Sequence, residues 1–168
     1  MQSFRLLALC AVALFSINLA QAADMSAAEE WLIKAQIKEL SDSYGIHRDN
    51  NDHDGYANTF AEDGELILYG NVSKGRDEIR ARAANASDNV RMHVLTSSLI
   101  NVIDSENATG VHYITVFSAA KPEGFEDGDT VVSPNFRVMG KYHDKYVLTD
   151  EGWKFAERRI EPIFSASE

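Results

Sequence analysis

Apolar and polar positions divide this chain into two regimes. In the first, Ile33, Ile37, Leu40 and Tyr44 recur three or four residues apart, which places them on one stripe of an α-helix. Ser26-Ala27-Ala28-Glu29 precedes the stripe and matches a capping box, in which serine and glutamate side chains satisfy backbone N–H groups at a helix start. The spacing predicts a helix ending near Arg48, where the polar run Asp49-Asn50-Asn51-Asp52-His53-Asp54-Gly55 breaks the pattern. A short second helix over 53–60 carries Tyr56 and Phe60. Asp63-Gly64 reads as a turn, Glu65 to Tyr69 as a short strand, and 76–85 as a third helix with Ile79 as its apolar residue.

In the second regime the period drops to two. Segments 90–103, 108–118, 135–149 and 153–163 read as strands, and Asp104–Asn107 and Asp150-Glu151-Gly152 close hairpins between them. Residues 135–149 alternate most clearly: Phe136, Val138, Tyr142 and Tyr146 fall on one side, Arg137, Lys141, His143 and Lys145 on the other. Helices first and long strands later argue for an α+β fold with a mostly antiparallel sheet. Strands this long twist and curve, and helices across the concave side enclose a pocket.

The first 22 residues stand apart from both regimes. Arg5, an apolar run from Leu6 to Phe15 and the small-x-small site Ala20-Gln21-Ala22 have the layout of a secretory signal peptide. Cleavage after Ala22 leaves residues 23–168 as one domain, periplasmic or secreted, with no membrane attachment thereafter. The only cysteine, Cys10, leaves with that segment, so the expected mature protein has no disulfide, metal thiolate or thiol nucleophile. The formal net charge is −10 with no basic stripe, which argues against nucleic acid as a partner. Asn71-Val72-Ser73, Asn85-Ala86-Ser87 and Asn107-Ala108-Thr109 are formal glycosylation sequons.

Candidate chemistry is sparse. Asn50-x-Asp52-x-Asp54-Gly55 imitates the opening of a calcium loop, but the loop's twelfth position falls on Ala61, not glutamate. The histidines show no metal-ligand spacing, and no phosphate-cradling glycine motif or Gly-x-Ser-x-Gly elbow occurs; we expect neither metal nor cofactor. His93 shares strand parity with Leu95, Leu99 and Ile103, an apolar face on which an imidazole is either a core residue bonded to backbone or a base oriented by a carboxylate. Asp49 is the candidate carboxylate, at a helix C-terminus where the helix dipole disfavours it unless a cation or imidazole is near. Tyr44 ends the apolar stripe with a hydroxyl that needs a partner. Positions 44 and 49 lie roughly 140° apart on an ideal helix, so both reach one pocket only if the helix ends or bends between them, as Gly45 allows. Leu95, Tyr113, Phe117, Phe136 and Val138 are candidate pocket walls.

Five segments, in order, resemble the SnoaL-like domains of the nuclear-transport-factor-2-like superfamily: Ile37-Lys38-Glu39-Leu40 with Tyr44 and Asp49, Phe60-Ala61-Glu62-Asp63-Gly64, Lys74-Gly75-Arg76-Asp77-Glu78-Ile79, Met92-His93-Val94-Leu95-Thr96-Ser97, and Gly152-Trp153-Lys154-Phe155-Ala156-Glu157-Arg158-Arg159. The resemblance implies an α+β cone and a homodimer joined through the outer sheet face. In the dehydratase-like branch an aspartate after the first helix pairs with a histidine on a central strand; Asp49 and His93 fall at those places, and Tyr44 where that branch has a polar pocket residue. Thr149 stands where a related dehydrochlorinase has arginine, which argues against dehalogenation. The implied function is cofactor-independent lyase or isomerase chemistry on a small apolar molecule. The alternative is a non-catalytic ligand-binding or dimerisation module with the same pocket.

Overall fold

The computed structural model describes residues 25–86, 89–126, 128–132 and 134–166; the expected signal peptide, residues 1–22, lies outside them. The elements are α1 (Ala27–Asp49), α2 (His53–Asn58), β1 (Phe60–Leu68), β2 (Asn71–Lys74), α3 (Gly75–Ala84), β3 (Asn89–Val102), β4 (Asn107–Ala120), β5 (Asn135–Thr149) and β6 (Gly152–Ser165). The capping box is present. Ser26 Oγ accepts from the Glu29 N–H at 3.2 Å, and Glu29 Oε2 accepts from the Ser26 N–H at 2.8 Å, satisfying two donors that α1 leaves open. Ile37 and Tyr44 from the apolar stripe are fully buried, with Ile33 and Leu40 packed beside them. Full burial of a side chain such as Ile37 contributes roughly 1.5–3 kcal/mol.

The six strands form one sheet in the order β2-β1-β6-β5-β4-β3. All neighbours are antiparallel except β1 and β6, which pair in parallel. α1 lies against β3 at one end of the sheet, α3 against β1 near the other, and α2 bridges the two helices. The core between these layers is aromatic: Tyr44, Tyr56, Phe60, Tyr142, Tyr146, Trp153 and Phe155 are all buried. The fold is the expected α+β cone.

Several local expectations give way. Asp63-Gly64 is not a turn but an irregularity inside β1, where the register against β6 shifts between Phe60 and Glu65. A Cβ on Gly64 would sit 2.7 Å from the Phe155 carbonyl oxygen, so a side chain there would push the two strands apart. β2 is an additional short strand. Asp52 and Asp54, the calcium-loop look-alikes, have other uses: Asp52 caps α2 by accepting from the Gly55 N–H at 2.9 Å, and Asp54 pairs with Arg80. Two further shifts invert strand faces. Between Leu95 and Ser98 the β3 register slips against β4, so Leu99 and Ile103 do not share the face of His93; both are exposed, while Ile100 packs on the core. On β5, Val138 pairs with Val116 but Phe136 pairs with Phe117, which moves Phe136 off the face of Val138 and Tyr142.

Candidate active site

α1 runs unbroken through Gly45 to Asp49, so the expected end or bend between Tyr44 and Asp49 does not occur. Gly45 instead lets β3 approach the helix: a Cβ there would lie 3.4 Å from His93 Cβ and 3.5 Å from Leu95 Cδ1. That approach carries the last residue of α1 onto the backbone of β3. Asp49 Oδ2 accepts from the His93 N–H at 2.8 Å, and Asp49 Oδ1 meets His93 Nδ1 at 2.5 Å. β3 is an edge strand, so the N–H groups turned away from β4 have no strand partner, and His93's is taken by the carboxylate. Two donors on one carboxylate offset the dipole's penalty at a helix end. An ionised carboxylate only accepts, so it holds the proton on Nδ1 and leaves Nε2 as the lone-pair nitrogen of the neutral ring. The two side chains are 9% (His93) and 21% (Asp49) exposed.

Tyr44 lies close by but is tied inward. Its hydroxyl is 2.9 Å from that of Tyr56, and its ring stands edge-on to His93, with centroids 6.5 Å apart. Burial, then the neighbouring Tyr44, pushes the Tyr56 phenol well above its usual range; burial does the same for Tyr142. Both therefore remain protonated donors at neutral pH. Beneath these rings lies Arg158, fully buried, with its guanidinium carbon 3.9 Å from the Phe155 ring centroid, 4.2 Å from that of Tyr44 and 4.3 Å from that of Tyr142. It forms a forked ion pair with buried Asp144, at 2.9 and 2.7 Å. Tyr146 donates to the same carboxylate at 2.8 Å, and the Tyr146 oxygen is 2.8 Å from His112 Nε2.

A cavity of about 490 Å³ opens in front of His93. Tyr44, Tyr56, Leu68, Val116, Val138, Tyr142 and Ile160 supply its apolar and aromatic wall. Of the five expected wall residues only Val138 lines it. Leu95 points inward but packs against the core beside α1. Tyr113, Phe117 and Phe136 lie on the opposite face of the sheet, because Val116, not Phe117, faces in, and the slip on β5 takes Phe136 with Phe117. The lining that the sequence reading missed is cationic: Arg48, Arg82, Arg91 and Arg137. One available signal was the Arg91-x-His93 alternation, and another was the position of Arg48 one helical turn after Tyr44 and next to Asp49. Among the described residues no group of three or more His, Cys, Asp or Glu gathers as a metal cluster.

The profile of the SnoaL-like domain matches residues 29–159. This chain belongs to that family. Among solved structures it is similar to a variant of Rv3472, a protein of unknown function from Mycobacterium tuberculosis (27% identity, TM-score 0.69, covering 83% of this chain and 78% of the other). It is also similar to a presumed scytalone dehydratase from Novosphingobium aromaticivorans (17% identity, TM-score 0.70, 84% and 91%). A third is ActVI-ORFA from Streptomyces coelicolor (22% identity, TM-score 0.64, 78% and 97%). No curated protein matches the chain. The family includes enzymes.

Proposed function

We propose that the protein is a cofactor-independent lyase or isomerase acting on a small molecule with an apolar body. The observation that carries this reading is the doubly held pair: Asp49 grips both the backbone and the ring of His93 at the wall of the cavity. His93 Nε2 abstracts a proton from bound substrate. Asp49 keeps the ring in the accepting tautomer and stabilises the imidazolium that forms. The cavity-lining phenols of Tyr56 and Tyr142 are donors for a substrate oxygen. Tyr44 positions Tyr56 through the hydrogen bond between their hydroxyls. A general base of this kind contributes roughly 10²–10⁴-fold.

The test is a screen in D₂O. Wild-type protein is incubated with enolisable ketones, acids and β-hydroxy carbonyl compounds and followed by proton NMR for deuterium uptake or loss of water. We expect turnover of at least one compound and its abolition in His93→Gln with the circular dichroism unchanged. Turnover that survives His93→Gln sinks the reading.

We further propose that residues 1–22 export the protein to the periplasm or exterior, checked by fractionation and by a mature N-terminus at Ala23. The outer sheet face supports a homodimer: Met92, Tyr113, Met139 and Phe164 are exposed there, and Phe117 and Phe136 pack beside each other with centroids 6.5 Å apart. Sedimentation equilibrium should give twice the monomer mass, and Tyr113→Lys should halve it.

A further inference from the structure

We propose that the substrate carries an anionic group, a carboxylate or its equivalent, received by an arginine cluster that lines the cavity from four separate elements. The inference rests on the reading of the cavity as the seat of a small-molecule substrate, and it adds the chemical class of that molecule.

Eight arginines fall in the described residues. Arg76, Arg80, Arg158 and Arg159 each pair with a carboxylate. Arg48 on α1, Arg82 on α3, Arg91 on β3 and Arg137 on β5 all line the one cavity with His93. Among the described residues lining it there is no aspartate or glutamate. Arg48, Arg82 and Arg137 have no ion pair with a described residue, and Arg91 donates to the neutral Asn51 side chain at 3.2 Å.

Guanidiniums lining one cavity repel each other, and partial burial strengthens that repulsion. This arrangement occurs in a chain of net charge −10, which has carboxylates in excess and places none of the described ones in this lining. Arg48 makes the sharper point. Its guanidinium carbon lies 5.7 Å from the Tyr56 ring centroid, and its Nη1 is buried with no hydrogen-bond partner among the described residues. A buried donor left open costs free energy unless something else satisfies it, and a planar fork is matched by a carboxylate or phosphate.

The position of the cluster gives the substrate its direction. Arg91 is two residues before His93 on the same face of β3, so its Cα lies roughly 6–7 Å further along the strand. Arg137 lies on β5 next to Val138, whose β4 partner, Val116, also pairs with His93. A molecule with its anionic end on the arginines and its apolar body against Tyr56, Tyr142 and Ile160 presents intervening carbons to His93. Negative charge that develops on proton removal then lies beside guanidiniums, which stabilise it.

The experiment is calorimetric titration with two molecules of one shape, 2-naphthoate and 2-naphthylmethanol, and with inorganic phosphate as an anion without a body. Wild type should bind naphthoate at least tenfold tighter than the alcohol and tighter than phosphate. Arg48→Gln should remove most of that preference. The double variant Arg82→Gln/Arg137→Gln, in which Arg137 is exposed, should reduce it several-fold. His93→Gln should keep it, which separates anion recognition from the acid–base reading. Equal affinity for naphthoate and the alcohol, or a preference untouched by both arginine variants, overturns the proposal even if proton abstraction by His93 stands.

Discussion

Asp49 has two oxygens and gives both to His93, one to its backbone and one to its ring. That division makes the ring's tautomer a consequence of the carboxylate. Asparagine at this position is nearly isosteric but offers one acceptor and an NH₂. If its oxygen stays on the backbone N–H, its amide must face Nδ1 as a donor, and the ring proton moves to Nε2. Imidazole ¹⁵N shifts of the ring should therefore report Nδ1–H in wild type and Nε2–H in Asp49→Asn. The same variant should lose about 10²-fold or more of any turnover found with the wild type. An unchanged tautomer would remove Asp49 from the mechanism. Asp144 poses a different problem, because its partner Arg158 is fully buried beneath aromatic rings. Asp144→Asn leaves that guanidinium charge without a counter-ion. Urea denaturation should show a loss of about 3–5 kcal/mol, whereas replacing both partners by apolar residues should cost clearly less.

At the scale of elements the decisive contact is α1 on β3, and Gly45 sets its distance. Alanine at 45 meets His93 Cβ at 3.4 Å, an ordinary contact, and removes a glycine from a helix interior, which is worth roughly 0.5–1 kcal/mol. Gly45→Ala should thus be neutral to slightly stabilising by thermal melting. Gly45→Leu should force the helix off the strand, separate Asp49 from His93 and abolish turnover with the sheet intact. Periodicity made the elements themselves legible: the capping box of α1, the stripe Ile33–Tyr44 and the four long strands follow from local chemistry that repeats at a fixed spacing. What periodicity could not carry was the slips. A bulge between Leu95 and Ser98, or beside Phe136, leaves the residue types unchanged and inverts the face of everything beyond it. That is why Leu99 left the face of His93 and why Phe136 fell outside the cavity, whereas Tyr113 and Phe117 sit on the outer face of an evenly alternating β4. In the site, Asp49 and His93 were legible because a helix-terminal carboxylate and a histidine in an apolar strand are each locally odd. The arginines were not, because positions 48, 82, 91 and 137 meet only once α1, α3, β3 and β5 are assembled.

For the molecule as a whole, the buried chain Arg158–Asp144–Tyr146–His112 couples folding to pH. Burial first, with the Arg158 charge adding to it and Asp144 only partly opposing, holds His112 down to about 4 from its ordinary 6.5. The folded protein keeps this ring neutral over a range in which the unfolded chain takes up a proton. Stability is therefore at its full value above pH 6.5 and falls as the pH drops toward 4, below which both states bind the proton and this contribution levels off. One proton is worth about 1.4 kcal/mol per pH unit, so His112 alone should cost the fold about 3 kcal/mol between pH 6.5 and 4. Acidic side chains titrate over part of the same range, Glu157 and Asp104 among those held low by hydrogen bonds, so the wild-type curve by itself does not isolate the imidazole. His112→Gln does, because it keeps a donor for the Tyr146 oxygen and cannot titrate. Urea unfolding of both proteins at pH 7 and pH 4.5 should show the wild type losing about 2–3 kcal/mol more than the variant. Parallel losses would mean that His112 takes up its proton without unfolding, through a rearrangement that lets Asp144 meet it directly from its present 3.6 Å.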